Sequence, residues 1–176
     1  MTPQRKKEIE ILLQSIHLEV VLDTLDLIKK EGNVELITPM VNLMNETDNQ
    51  EVINTVAEVL RNIKDPNAVP KLLEALENPD SFGNRSVLVA ACWESGLNFD
   101  GHLSFFVDLA IRDNYLVCLE CLTLIENMGN EITERELLTN LSKIKQNIEP
   151  GEDKKDELLV ALAAVLESRK DTALKN

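Results

Sequence analysis

The feature that most constrains this chain is the regular return of helix-breaking residues between stretches of helical periodicity. Apolar side chains recur at three- and four-residue spacing through nearly every segment, and no run alternates with the period of two that marks a strand. The main breaks fall at Gly32-Asn33, Asp65-Pro66-Asn67, Asn98-Phe99-Asp100-Gly101, Gly129-Asn130 and Glu149-Pro150-Gly151, with lesser ones at Thr47-Asp48 and Asn78-Pro79-Asp80. This punctuation predicts an all-α chain of about five antiparallel helix pairs, over roughly residues 4–30, 34–63, 67–96, 101–128 and 132–170. Within the pairs, first helices are expected at roughly 4–15, 34–45, 67–77, 101–112 and 132–147, and second helices at roughly 18–30, 49–63, 82–96, 114–128 and 153–170.

The pairs keep time with one another. When the second helices are registered on Leu25, Leu60, Trp93, Ile125 and Leu162, the separations are 35, 33, 32 and 37 residues. First helices follow: Ile37, Met40, Val41 and Met44 correspond to Val69, Leu72, Leu73 and Leu76, then to Leu103, Phe106, Val107 and Ala110. A period of this size marks stacked helical hairpins, because each hairpin buries its apolar face only against its neighbours. Aromatic residues make up only 3% of the chain, so the core is built from many small aliphatic contacts repeated along it. The length of 176 residues suits one domain, 1–176.

One stretch carries a recognisable pattern: Val56-Ala57-Glu58-Val59-Leu60-Arg61-Asn62-Ile63-Lys64-Asp65-Pro66 running into Asn67-Ala68-Val69-Pro70-Lys71-Leu72-Leu73-Glu74-Ala75-Leu76. Its small-residue and leucine spacing resembles the bacterial type of HEAT-like repeat. The likeness is closest over residues 34–97, fainter over 98–145, and rests on periodicity alone at both ends; armadillo-type stacking is the neighbouring alternative. The resemblance implies a right-handed α-α superhelix, a solenoid whose second helices line a concave face where partners are usually held. Fold alone does not decide function, since the same superfamily includes enzymes.

Charge narrows the class of partner. The formal net charge is −13, and residues 32–130 hold 15 acidic and 5 basic side chains. Such a field repels phosphate backbones and anionic lipid headgroups and draws a basic protein or peptide. Nucleic acid and membrane are therefore not expected partners. The longest uninterrupted apolar run, Val87 to Trp93, falls far short of the roughly 20 residues that span a bilayer. Glutamates interrupt the N-terminal segment Arg5 to Leu13 where a secretory signal would be apolar, so export is not expected. Cys92, Cys118 and Cys121 form an odd set inside apolar helical stretches, which suits a reducing cytoplasm and not a disulfide framework.

No catalytic constellation emerges. Phosphate-cradling glycine motifs, His-Glu-x-x-His and Gly-x-Ser-x-Gly are all absent, and no metal or cofactor is expected. HEAT-like DNA glycosylases use a basic, aromatic-rich surface, which one Trp, one Tyr and an acidic middle do not supply. HEAT-like di-iron hydroxylases need several His-Glu pairs, and only His17 with Glu19 comes near one. Resemblance to phycobilin lyases supports an alternative, an enzyme or lyase using a cleft near Cys118, Cys121 and His102. Cys118 and Cys121 have the Cys-x-x-Cys spacing of zinc sites and thiol exchange, but no second ligand pair accompanies them, and both sit where core residues are expected. Asp23 and Asp26, with Glu19, read as a solvated helix face.

Placed on a wheel at about 100° per residue, the helix over 49–63 separates cleanly. Val52, Ile53, Val56, Ala57, Val59, Leu60 and Ile63 fill one arc, and Glu51, Asn54, Thr55, Glu58, Arg61 and Asn62 the other. In the next two second helices, Val87, Ala91, Leu116 and Leu119 project in register with that polar arc, rimmed by Glu58, Glu94, Glu120 and Glu126. Two readings stand at this level. Either curvature or tilt tucks these residues between repeats, or tight stacking buries both sides of the helices; otherwise they form an apolar, acid-walled seat for a basic, amphipathic partner, with a homodimer as its variant.

Overall fold

The computed structural model describes residues 1–129, 132–148 and 154–173, with side chains to residue 169. Ten α-helices follow one another and no strand occurs among the described residues. They are α1 (Pro3–Leu13), α2 (Leu18–Glu31), α3 (Ile37–Glu46), α4 (Gln50–Asn62), α5 (Ala68–Glu77), α6 (Arg85–Ser95), α7 (Leu103–Arg112), α8 (Tyr115–Asn127), α9 (Glu134–Gln146) and α10 (Lys154–Ala173). The all-α expectation holds, and each helix lies inside or within a few residues of its expected span. Of the expected breaks, Asn130 and Glu149-Pro150-Gly151 lie outside the described residues, as does residue 153, the expected start of the last helix.

Local chemistry sets the boundaries. Side chains of Thr2, Asn49, Asn114 and Thr133 accept hydrogen bonds from the free N–H groups that open α1, α4, α8 and α9. Glu136 completes a reciprocal cap with Thr133. Gly32 and Gly96 end α2 and α6 in the left-handed region, at φ of 64° and 70°, where a side chain is strained. The largest departure is at α6. Pro79–Asn84 winds as a 3-10 helix, opened by the Asn78 side chain accepting from the Asp80 N–H, so α6 begins at Arg85 and not near 82.

The chain gathers into two compact units, Met1–Leu97 and Asn98–Asn176, divided at the break between the third and fourth pairs. In the first unit α1, α3 and α5 pack side by side, α2, α4 and α6 do the same, and each first helix packs on the second helix of its pair. In the second unit α7 packs on α9 and α8 on α10, again with each first helix against its mate.

The registration residues explain the packing. Leu25, Leu60, Ile125 and Leu162 are wholly buried, while Trp93, too large to be enclosed, is half-buried. On α4, Val52, Val56, Ala57, Val59, Leu60 and the following Ile63 are buried, while Glu51, Asn54, Glu58 and Asn62 are exposed. Ile53 from the apolar arc, and Thr55 and Arg61 from the polar one, are half-buried and lie between the two arcs read from sequence. Basic side chains close the helix ends. Arg85 donates to Leu76 O and Asn78 O, Lys64 to Ser95 O, Lys155 to Ile111 O, and Arg169 to the carbonyls of Ile125, Glu126, Met128 and Gly129. A cation there satisfies orphan carbonyls and opposes the negative end of the helix dipole.

Truncating Leu60 to alanine removes buried contacts from α4, which is packed on both sides by second helices. The expected cost is about 2–5 kcal/mol, read as a lower denaturant midpoint with an unchanged slope.

Candidate partner-binding faces

On the second-helix side of the first unit, the structure corrects one expectation outright. Ala91 is 1% exposed. α6 is turned by about a quarter turn relative to its alignment with α4, counting 100° per residue. It therefore buries Leu88, Ala91 and Ser95, and leaves Ser86, Val87 and Ala90 half-buried and Glu94 exposed. Val87 keeps partial access to solvent and Ala91 does not. Register between repeats could not foresee this, because it assumes equal rotation of every second helix.

The expected acidic rim on this unit is engaged in ion pairs. Lys29 of α2 reaches Glu58 of α4, and Arg61 of α4 reaches Glu94 of α6, so one cation per helix bridges to the next. The hydrogen bond from Lys29, and then its charge, hold the Glu58 carboxyl below its ordinary value. Exposed pairs of this kind are screened by solvent and add little to stability. The sequence signal was available in the positions of Lys29, Glu58, Arg61 and Glu94, but it needed the row α2, α4, α6 to be read as neighbours. The acidic residues exposed on the same helices and outside these pairs are Glu19, Asp23, Asp26 and Glu31 on α2, the last paired with Arg5, and Glu51 on α4.

The second unit keeps the expected rotation. On α8, Val117, Cys118, Cys121, Leu122, Leu124 and Ile125 are buried. Leu116 is 56% exposed, and Leu119, Glu120 and Thr123 are half-buried beside it at helical spacing. Tyr115 opens the helix with 40% exposure, and Glu126 is exposed near its end. The result is a short aliphatic strip on one helix, flanked by carboxylates. Tyr115 was missed because it sits at the edge of the polar arc, where a wheel separates inside from outside least well.

The alternative site does not assemble as it would have to. Cys118 and Cys121 are both wholly buried, on the side of α8 away from Leu116. Burial pushes the Cys118 thiol up to about 11, slightly opposed by the Lys155 ammonium, and raises Cys92 further. Thiols held protonated in this way are poor nucleophiles. His102 is half-buried in the turn Asp100–His102. Two clefts open on the first-helix side of the first unit. One of about 330 Å³ lies between α1 and α3, with Glu10 and Glu46 on its walls; one of about 350 Å³ lies between α3 and α5, with Glu74 and Glu77. Neither is lined by His, Cys, Lys or Arg. Among the described residues, no three of His, Cys, Asp and Glu gather as metal ligands, and no helix is long and apolar enough to cross a membrane.

No family model matches the chain, and no curated protein is significantly similar to it.

Burial of the cysteines makes a direct prediction. In the native protein Cys92, Cys118 and Cys121 are expected to resist a thiol-reactive dye over the time in which all three react in denaturant. Rapid native labelling of Cys118 or Cys121, located by mass spectrometry, contradicts it.

Proposed function

We propose that this chain is a non-catalytic binding module of HEAT-like type, a solenoid of five helix pairs that holds a basic, amphipathic protein segment on its second helices. The observation that carries the reading is Leu116. A leucine more than half exposed, with Leu119 one turn on, Tyr115 beside it and Glu120 and Glu126 along the same helix, is the combination that an apolar anchor with neighbouring Lys or Arg would meet. The surplus of 15 acidic over 5 basic side chains in residues 32–130 supports a basic partner, drawn in by long-range attraction before contact. Val87 on α6 belongs to the same reading with its partial exposure, whereas Ala91 does not. Glu58 and Glu94 are each paired with one cation, Lys29 and Arg61, and so add little to that attraction. The three buried free thiols support a reducing compartment such as the cytoplasm. A cleft enzyme built on Cys118 and Cys121 loses support because neither thiol reaches solvent.

The test uses a synthetic Leu/Lys amphipathic helix of about 18 residues as a defined probe, alongside affinity capture from the native host. Leu116→Asp is expected to weaken probe binding at least about tenfold and to abolish capture. The melting temperature stays nearly unchanged, since exposed substitutions move stability by less than about 0.5 kcal/mol. Association is expected to slow as salt rises, because screening reaches about 8 Å at physiological ionic strength. Equal binding by wild type and Leu116→Asp, with salt-independent association, contradicts the reading.

A further inference from the structure

We propose that a second copy of this chain docks on the turn between α1 and α2, forming a two-fold dimer through Ile11, Leu12, Ile16 and Leu18. These four are all exposed, at 61%, 38%, 94% and 39%, and they crowd into one hairpin turn. Aliphatic side chains are ordinarily scattered when they lie on a monomer's surface, and their gathering marks an interaction surface. This inference depends on neither the binding reading nor its partner.

Charge identifies the occupant. A chain with net charge −13 repels its own copies over most of its surface. Between Glu10 and Glu19 there is no Asp, Glu, Lys or Arg, so here two copies meet without that penalty. The flanks are self-complementary, as an isologous interface requires. In the basic run that starts α1, Arg5 pairs with Glu8 and Glu31, and Lys6 pairs with Glu35. Lys7 is exposed and outside these pairs, one turn before Ile11 on the same helix face. Glu19, exposed in the first turn of α2, is the matching anion on the other side of the turn. An antiparallel crossing of the two α1 helices near Ile11 carries Lys7 of each copy to the turn of the other, where Glu19 stands. A foreign partner has no need of both signs; a second copy does.

The experiment is sedimentation equilibrium of the full chain over about 1–200 μM, since a dimer is populated by mass action. Wild type is expected to approach twice the monomer mass. Ile16→Asp is expected to remain monomeric with unchanged helical signal and melting temperature, its parent side chain being almost fully in solvent. Lys7→Glu and Glu19→Lys are each expected to raise the dimer dissociation constant about tenfold, and the double variant to restore it. A wild type that stays monomeric throughout, or an Ile16→Asp variant that dimerises like wild type, overturns the proposal. Failure of the double variant to recover association overturns the Lys7–Glu19 arrangement, and with it the charge argument for a second copy.

Discussion

The architecture of each unit depends on the burial of an aliphatic face of its helices against the helices of the adjoining pair within that unit. A helix of ten to fourteen residues, the length of α1 to α9, is marginal in water on its own. What holds α4 is therefore less its propensity than Val52, Val56, Val59 and Leu60 closing against α2, α3 and α6. Repetition of that contact sets the period of the chain, and the period in turn decides which residues are left outside. Side chains that face neither neighbour nor mate, such as Leu116 and Glu126 on α8, are what the repeat presents to the world.

The basic residues are distributed by the same logic. Lys64, Arg85, Lys155 and Arg169 lie against carbonyls at helix ends, and Lys29 and Arg61 bridge second helices. Their positive charges serve the interior joints of the fold. Carboxylates have no equivalent employment at these helix C-termini, and Glu19, Asp23, Asp26 and Glu51 remain on the outside. The acidity of the surface thus has a structural origin. In unit Asn98–Asn176 the Gly129 N–H donates to the Asp100 carboxylate at 2.7 Å, and a Cβ at Gly129 would come within 2.4 Å of that carboxylate.

Helix positions were legible in the sequence because breakers and caps act locally. Gly32, Gly96, Asn49 and Asn114 state where a helix starts or stops regardless of what surrounds it. Sidedness was legible for α4, whose apolar residues occupy one arc, and for α8, whose rotation repeats that of α4 and so leaves Leu116 and Leu119 on the polar arc. It was not legible for α6, where Val87, Leu88, Val89, Ala90, Ala91 and Cys92 form an unbroken apolar run with no polar residue to mark the outside. Rotation there is set by neighbours, and Ala91 was assigned to the wrong side for that reason. The ion pairs Lys29–Glu58 and Arg61–Glu94 were hidden for a related cause: the paired residues lie 29 and 33 positions apart, and only the side-by-side row makes them adjacent. The division at Leu97 leaves no compositional mark, since the break at Asn98-Phe99-Asp100-Gly101 reads like those between the other pairs.

If stability comes from neighbouring pairs, it must vary along each unit with the number of neighbours a helix has. Native-state hydrogen exchange measures this directly. Within unit Met1–Leu97, amides of α4, packed between α2 and α6, are expected to be the slowest to exchange, and those of α1, which has a neighbouring pair on one side only, the fastest among the helices. Equal protection of α1 and α4, or faster exchange in α4, would contradict the account.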